Sequence, residues 1–159
     1  MFNESNIYST MKQIEHTAQA ENFSTINVGK LSELGDYVLE LGPDVKIPGK
    51  VFGGSALQAT GAEFSFQSFA PGTETGFLHH HQTHEELYFF LSGEGEFQVD
   101  GKVFSVSEGS VVRVAPDGVR SVRNNGTQPL VMLCVQYRGK TFTADDATDG
   151  VILSEPVKW

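Results

Sequence analysis

The stretch Gly76-Phe77-Leu78-His79-His80-His81-Gln82-Thr83-His84-Glu85-Glu86-Leu87-Tyr88-Phe89-Phe90-Leu91-Ser92-Gly93 carries four of the chain's five histidines within six positions. Extended backbone turns successive side chains to opposite faces. On that alternation His79 and His81 point one way and His80 the other. Glu86 opens the next segment, sharing its parity with Tyr88 and Phe90, while Glu85 faces away. If the two segments are antiparallel neighbours, Glu86 stands across from the histidine pair. Two neutral imidazoles and one carboxylate on one face suit a divalent first-row metal. A purification tag would also be rich in histidine, but this run lies inside the chain between two strand signals.

Outward from this stretch, short apolar segments alternate with turn residues and no long helical stripe appears. Tyr37 to Leu41, Phe64 to Phe69, Leu87 to Leu91, Gly95 to Val99, Lys102 to Val106, Val111 to Val114, Val119 to Arg123 and Leu130 to Tyr137 read as strands. Asp100-Gly101 is a two-residue hairpin turn, because both of its positions favour positive φ. Glu108-Gly109, Pro116-Asp117-Gly118 and Asn124-Asn125-Gly126 punctuate the rest. Eight of the twelve phenylalanines fall between Phe64 and Phe104, where aromatic side chains suit a pleated, half-buried surface. The expected class is all-β, a sandwich or barrel.

The chain has 159 residues with a formal charge of −9, and its single cysteine, Cys134, excludes an intrachain disulfide. That length suits one domain with its own core. The acidic balance argues against a nucleic-acid surface. No apolar run is long enough to span a bilayer, and no secretory signal is expected at the start. A cytoplasmic location is the expectation, in keeping with the sparse cysteine. Residues 1–29 are expected as an N-terminal extension or arm, with Met11, Ile14 and Ala18 at helical spacing. Residues 30–144 are expected as the β-barrel domain. Residues 145–159 form an acidic C-terminal segment that could supply an edge strand.

The motif His79-x-His81-x4-Glu86-x6-Gly93, with Pro71-Gly72 before it and Gly95 after it, resembles the first conserved motif of the cupin superfamily. Gly109-Ser110-Val111-Val112-Arg113-Val114-Ala115-Pro116-Asp117-Gly118 and the following residues to Asn124 resemble the second. The resemblance covers roughly Gly72 to Tyr137. It implies a small single-domain cupin with a double-stranded β-helix, or jelly-roll, barrel. It also implies a metal site on His79, His81 and Glu86, taking Fe, Mn, Ni or Zn, and a homodimer. The chain departs from the pattern at the fourth ligand. Three residues before Asn124, where cupins carry a histidine, stands Arg120; a gap shifted by one would place Ser121 there. Arginine stays protonated and accepts nothing, so it cannot ligate a metal.

Two consequences are open at this point. In one, His79, His81 and Glu86 form a two-His-one-carboxylate site with free positions, and Arg120 takes an anionic group of the substrate. Metal-dependent oxygenation or isomerisation of a small oxygenated compound is the enzyme class implied. In the other, Arg120 pairs with Glu86 in a metal-free ligand-binding or sensor barrel. A third reading is an interaction protein with a vestigial pocket. Arg120, Tyr88, Phe90 and His84 are the substrate-binding candidates around the site. No catalytic residue is assigned. Arg113 and Arg123 are expected to face solvent, and Cys134 to act as a small hydrophobe. The expected partner is a small molecule, with neither nucleic acid nor membrane.

Overall fold

The computed structural model describes residues 11–159. Alternating side chains and turn residues build twelve strands among them. Five strands form the larger barrel sheet, antiparallel throughout: β5 (Lys50–Phe52), β6 (Glu63–Phe69), β12 (Leu130–Arg138), β7 (His84–Ser92) and β10 (Val111–Val114), in that spatial order. The facing sheet runs β11 (Arg120–Arg123), β8 (Glu94–Val99) and β9 (Lys102–Ser107). The sheets close on each other as a double-stranded β-helix barrel. Phe97 of β8 meets the ring of Tyr88 at 4.9 Å and that of Phe90 at 6.2 Å, both edge-on. Val106, Val114, Val122, Leu130 and Met132 complete this inner core.

The larger sheet is covered on both faces. On its outer side Leu34, Tyr37, Val51 and Val131 are buried together, with Ile14, Val28, Phe66 and Leu91 against them. The cover comes from a 3₁₀ turn over Leu31–Asp36 and from the segment before it. This explains why β6 is apolar on both parities. Phe64 and Phe66 look outward, while Ser65, Gln67 and Phe69 are the buried, inward positions.

Three sequence expectations change. Helical spacing at Met11, Ile14 and Ala18 does not produce a helix: β1 (Glu15–Ala20) and β2 (Phe23–Asn27) form an antiparallel hairpin. Glu21-Asn22 make its turn, and cross-strand contacts such as Thr17 to Thr25, with hydroxyls 2.5 Å apart, favour extended chain over a helix with little to bury. Asn3 to Asn6 lie outside the described residues. The proposed C-terminal edge strand does not form. Ala144–Thr148 make a 3₁₀ turn capped by Thr143 and Asp146, and the residues beyond are exposed. The Tyr37 to Leu41 segment narrows to β3 (Val38–Glu40), paired with β4 (Lys46–Pro48). Among the described residues no helix is long and apolar enough to cross a membrane.

The hairpin entering β8 depends on one glycine. Gly93 has φ +80°, and a Cβ there would collide with the Pro129 carbonyl oxygen. Gly101 has φ +78° but open space around it. Gly93→Ala is expected to cost at least about 2 kcal/mol, by strain plus a backbone clash. Gly101→Ala is expected to cost about 1 kcal/mol, from the left-handed backbone alone. Urea unfolding of both variants checks the order.

Candidate metal and ligand site

Glu86 is the second inward-facing position counted from the open end of β7. It is 5% exposed, and its carboxylate collects partners from four parts of the fold. Tyr88, two residues on along the same face, donates its hydroxyl to Oε2. Arg120, opening β11, donates Nε–H to the same oxygen at 3.0 Å, and its Nη2 lies 2.9 Å away. On the other oxygen, His81 Nε2 stands 3.0 Å from Oε1, and the Cys134 thiol of β12 donates to it at 3.5 Å.

The histidines reach the site from a loop. His79 forms an isolated bridge with Arg120, its N–H donating to the Arg120 carbonyl at 3.3 Å and its carbonyl accepting at 3.0 Å. The neighbour of the His segment is therefore β11, not β7 as an antiparallel pair would require. The alternation still holds: His79 and His81 face the same way, with rings 5.4 Å apart, while His80 is exposed. His79 Nε2 lies 4.0 Å from Glu86 Oε2. Its Nδ1 is buried with no hydrogen-bond partner.

Arg120 is fully buried. Its Nη1 donates to the carbonyls of Pro116 at 3.2 Å and Gly118 at 2.7 Å, both in the turn leading into β11. Those acceptors fix the guanidinium so that Arg120, rather than Ser121, meets Glu86. Nη2 is close to Oε2 but poorly aligned, and makes no hydrogen bond.

These contacts set the protonation states. Burial works to raise the Glu86 carboxyl. The Tyr88 hydrogen bond and the charges of Arg120, His81 and His79 outweigh it, holding Glu86 below the usual carboxylate range. Burial pushes the His79 imidazole below its ordinary value; Glu86 opposes this, while Arg120 acts with it. A neutral imidazole is the form that ligates metals. Burial, with Cys134 and Glu86 beside it, raises the Tyr88 phenol, which stays a donor. Burial and Glu86 push the Cys134 thiol up to about 12, so it is a proton donor and not a thiolate nucleophile.

His79, His81 and Glu86 each offer one ligand atom, all within 4.8 Å of one another. The donor set of two imidazoles and one carboxylate fits a first-row divalent ion. Arg120 and Tyr88 orient Glu86 through Oε2, the kind of support that carboxylate ligands receive from neighbouring groups.

The site forms part of the wall of a cavity of about 520 Å³, bounded also by Phe52, Phe69, Phe77 and Met132. Tyr88 and Arg120 line it. Phe90 does not: it is 2% exposed in the inner core, packed on Phe97. His84 is exposed and stands outside the ligand group, its ring 6.0 Å from that of His81. Arg113 and Arg123 face solvent and pair with Glu85 and Glu96. Cys134 and Lys50 are among the lining residues that sequence reasoning missed. Cys134 read as plain core although its parity follows Met132, and Lys50 lay in no recognised strand. Asn124 of the second motif is structural, donating to the Phe69 and Gln128 carbonyls at 2.8 Å each.

Removing Arg120 leaves a buried carboxylate without its cation. Arg120→Met is expected to destabilise by about 3–5 kcal/mol, and the double variant Arg120→Met/Glu86→Gln to regain much of that loss. Urea titrations of the wild type, both single variants and the double variant measure the coupling.

The comparisons with known proteins agree with this architecture. Residues 65–136 match the family model of the cupin domain. A solved cupin protein from Bacteroides fragilis is 31% identical with a TM-score of 0.63, and the match covers 72% of this chain and 94% of that one. An uncharacterized protein of Methanocaldococcus jannaschii is 32% identical over 71 residues, which cover 45% of this chain and 57% of that protein. An oxalate-binding protein of Thermotoga maritima is 33% identical over 72 residues, covering 45% of this chain and 59% of that protein. The chain thus spans less than three fifths of the length of these two curated relatives. With the barrel, both motifs and a relative matched over nearly its whole length, the chain belongs to the cupin superfamily.

Proposed function

We propose that the barrel binds a small oxygenated molecule beside a divalent first-row metal held by His79, His81 and Glu86. The observation that carries this reading is the convergence of those three side chains on the wall of a 520 Å³ cavity. Three protein ligands would leave coordination positions for oxygen atoms of the bound molecule. When bound, the metal supplies Lewis-acid polarisation of such an oxygen or, for iron, oxygen chemistry. The chain's own groups orient and neutralise. Arg120 and Tyr88 hold Glu86, the apolar walls exclude water, and the Arg120 charge favours an anionic ligand. The oxalate-binding relative supports an acidic oxygen donor as the ligand class. Metal-assisted oxygenation or isomerisation is the reaction class in keeping with such a site.

A second reading is favoured by one observation: Arg120 stands on Glu86 at hydrogen-bond distance and can itself balance the carboxylate. On that reading the barrel is a metal-free binder or sensor for an anion. A cytoplasmic homodimer belongs to both readings. Exposed Val103 and Phe104 on β9 and Val111 on β10, each strand at the edge of its sheet, support self-association.

Untagged protein is expected to carry close to one equivalent of a first-row metal by elemental analysis. His79→Ala/His81→Ala should lose it, while His80→Ala/His84→Ala should keep it. Chelation should lower Tm. Metal well below one equivalent that is unchanged in the first variant overturns the metal reading, and a Tm indifferent to chelator favours the metal-free one. Light scattering is expected to give twice the chain mass; a monomer mass overturns the dimer.

A further inference from the structure

The cavity carries further polar groups on its β5–β6 wall. Lys50 on β5 stands directly opposite Gln67 on β6, which stands opposite Met132 on β12. Ser65 is the next inward position on β6, opposite Cys134. Glu86, in contrast, pairs with Gln136 on β12. The Lys50 row is therefore four residues from the Glu86 row along β12 and three strands across the sheet. At about 3.3 Å per residue, the offset along the strand is about 13 Å before the side chains reach inward.

Lys50, Gln67 and Ser65 all line the cavity. Gln67 is 6% exposed and Ser65 2%, and both side chains offer polar atoms to the cavity. The Lys50 ammonium makes no ion pair among the described residues, and its only polar-type contact there is with the Phe52 ring, 5.1 Å to the centroid. It is turned inward: its charge is felt by Cys134, Glu86 and His79. Burial lowers its pKa, the mark of a cation short of solvent.

Arg120 pairs with Glu86, while Lys50 makes no ion pair among the described residues, in a cavity that Glu74 also lines. A half-buried cation beside an amide and a hydroxyl is a receptor for a compact anion. Between the two rows the wall carries Phe52, Ser65, Cys134 and Tyr88.

We infer that the ligand is a small organic acid, and that Lys50, Gln67 and Ser65 bind its carboxylate on the β5–β6 wall of the cavity. The inference rests on the reading of the cavity as a small-molecule site, and it adds the ligand's charge and the wall that binds it.

The test uses the full chain as purified, with phenylacetate and 4-hydroxybenzoate as probes against their neutral primary amides, by calorimetry. At least one acid is expected to bind at least tenfold more tightly than its amide. Lys50→Met should remove that preference while leaving amide affinity and metal content unchanged. Lys50→Arg, which keeps the charge, should retain the preference and controls for misfolding, together with a thermal melt of each variant. Gln67→Leu should weaken acid binding by a smaller factor. Acids and amides binding equally, or a preference that survives Lys50→Met, overturns the inference and leaves the proposed function standing. Binding of neither class overturns both.

Discussion

One buried carboxylate organises this barrel. A charge removed from water costs several kcal/mol unless its partners are in place. Glu86 draws its partners from β7, β11, β12 and the loop before β7. None of these is local except Tyr88, so the site is completed only when the two sheets have closed. Arg120 makes the dependence mutual. Its donors are shared between Glu86 on the larger sheet and the Pro116 and Gly118 carbonyls of the turn before β11. Its own backbone bridges to His79 and so seats the histidine loop. The same residue thus fixes the register of the smaller sheet, the position of the imidazoles and the charge state of the carboxylate.

The cavity exists because the larger sheet is covered on both faces. A sheet with one wet face would place its phenylalanines inward and fill the barrel. Here the outer face has its own apolar cover, where Phe66 packs with Leu34 and Val51. The inner positions of β6 are thereby released for Ser65 and Gln67, and those of β12 for Cys134 and Gln136. Towards the other end of the inner face, Phe69, Phe90 and Met132 pack against Phe97 and Leu130 and close the core.

Much of this was legible in the sequence, and the limits have physical causes. Turn chemistry and alternation set the strands from Phe64 to Tyr137, because each is bounded by residues with few other conformations available. The ligand parity of His79, His81 and Glu86 was also legible, since period two is a property of extended backbone. The identity of the His loop's neighbour was not, because pairing across a barrel is decided by closure and not by local order. The role at position 120 was narrowed to two alternatives, and contact with Glu86 is visible only when β11 is in place. Lys50 escaped because β5 is three residues long and its parity acquires meaning only through Gln67. The hairpin over Glu15–Asn27 was hidden for another reason. Its strands are almost wholly exposed, so no apolar period marks them.

Replacing a fourth histidine with arginine changes what the site can do at every pH. An imidazole can lose its proton and enter a coordination sphere, whereas a guanidinium keeps its charge and has no lone pair to give. Arg120 therefore caps the protein's contribution at three ligand atoms and adds a permanent positive charge beside them. Lys50 adds a second cation to a cavity whose carboxylates are Glu86 and Glu74, while the whole chain is strongly acidic. The outer charge repels an anion at a distance, but it is screened over about 8 Å at physiological salt. Within the barrel, where water is sparse, the Arg120–Glu86 pair and Lys50 act at a lower effective dielectric than the surface charges do. On the proposed reading, recognition of an acid depends on groups inside the barrel and is confined to molecules small enough to enter.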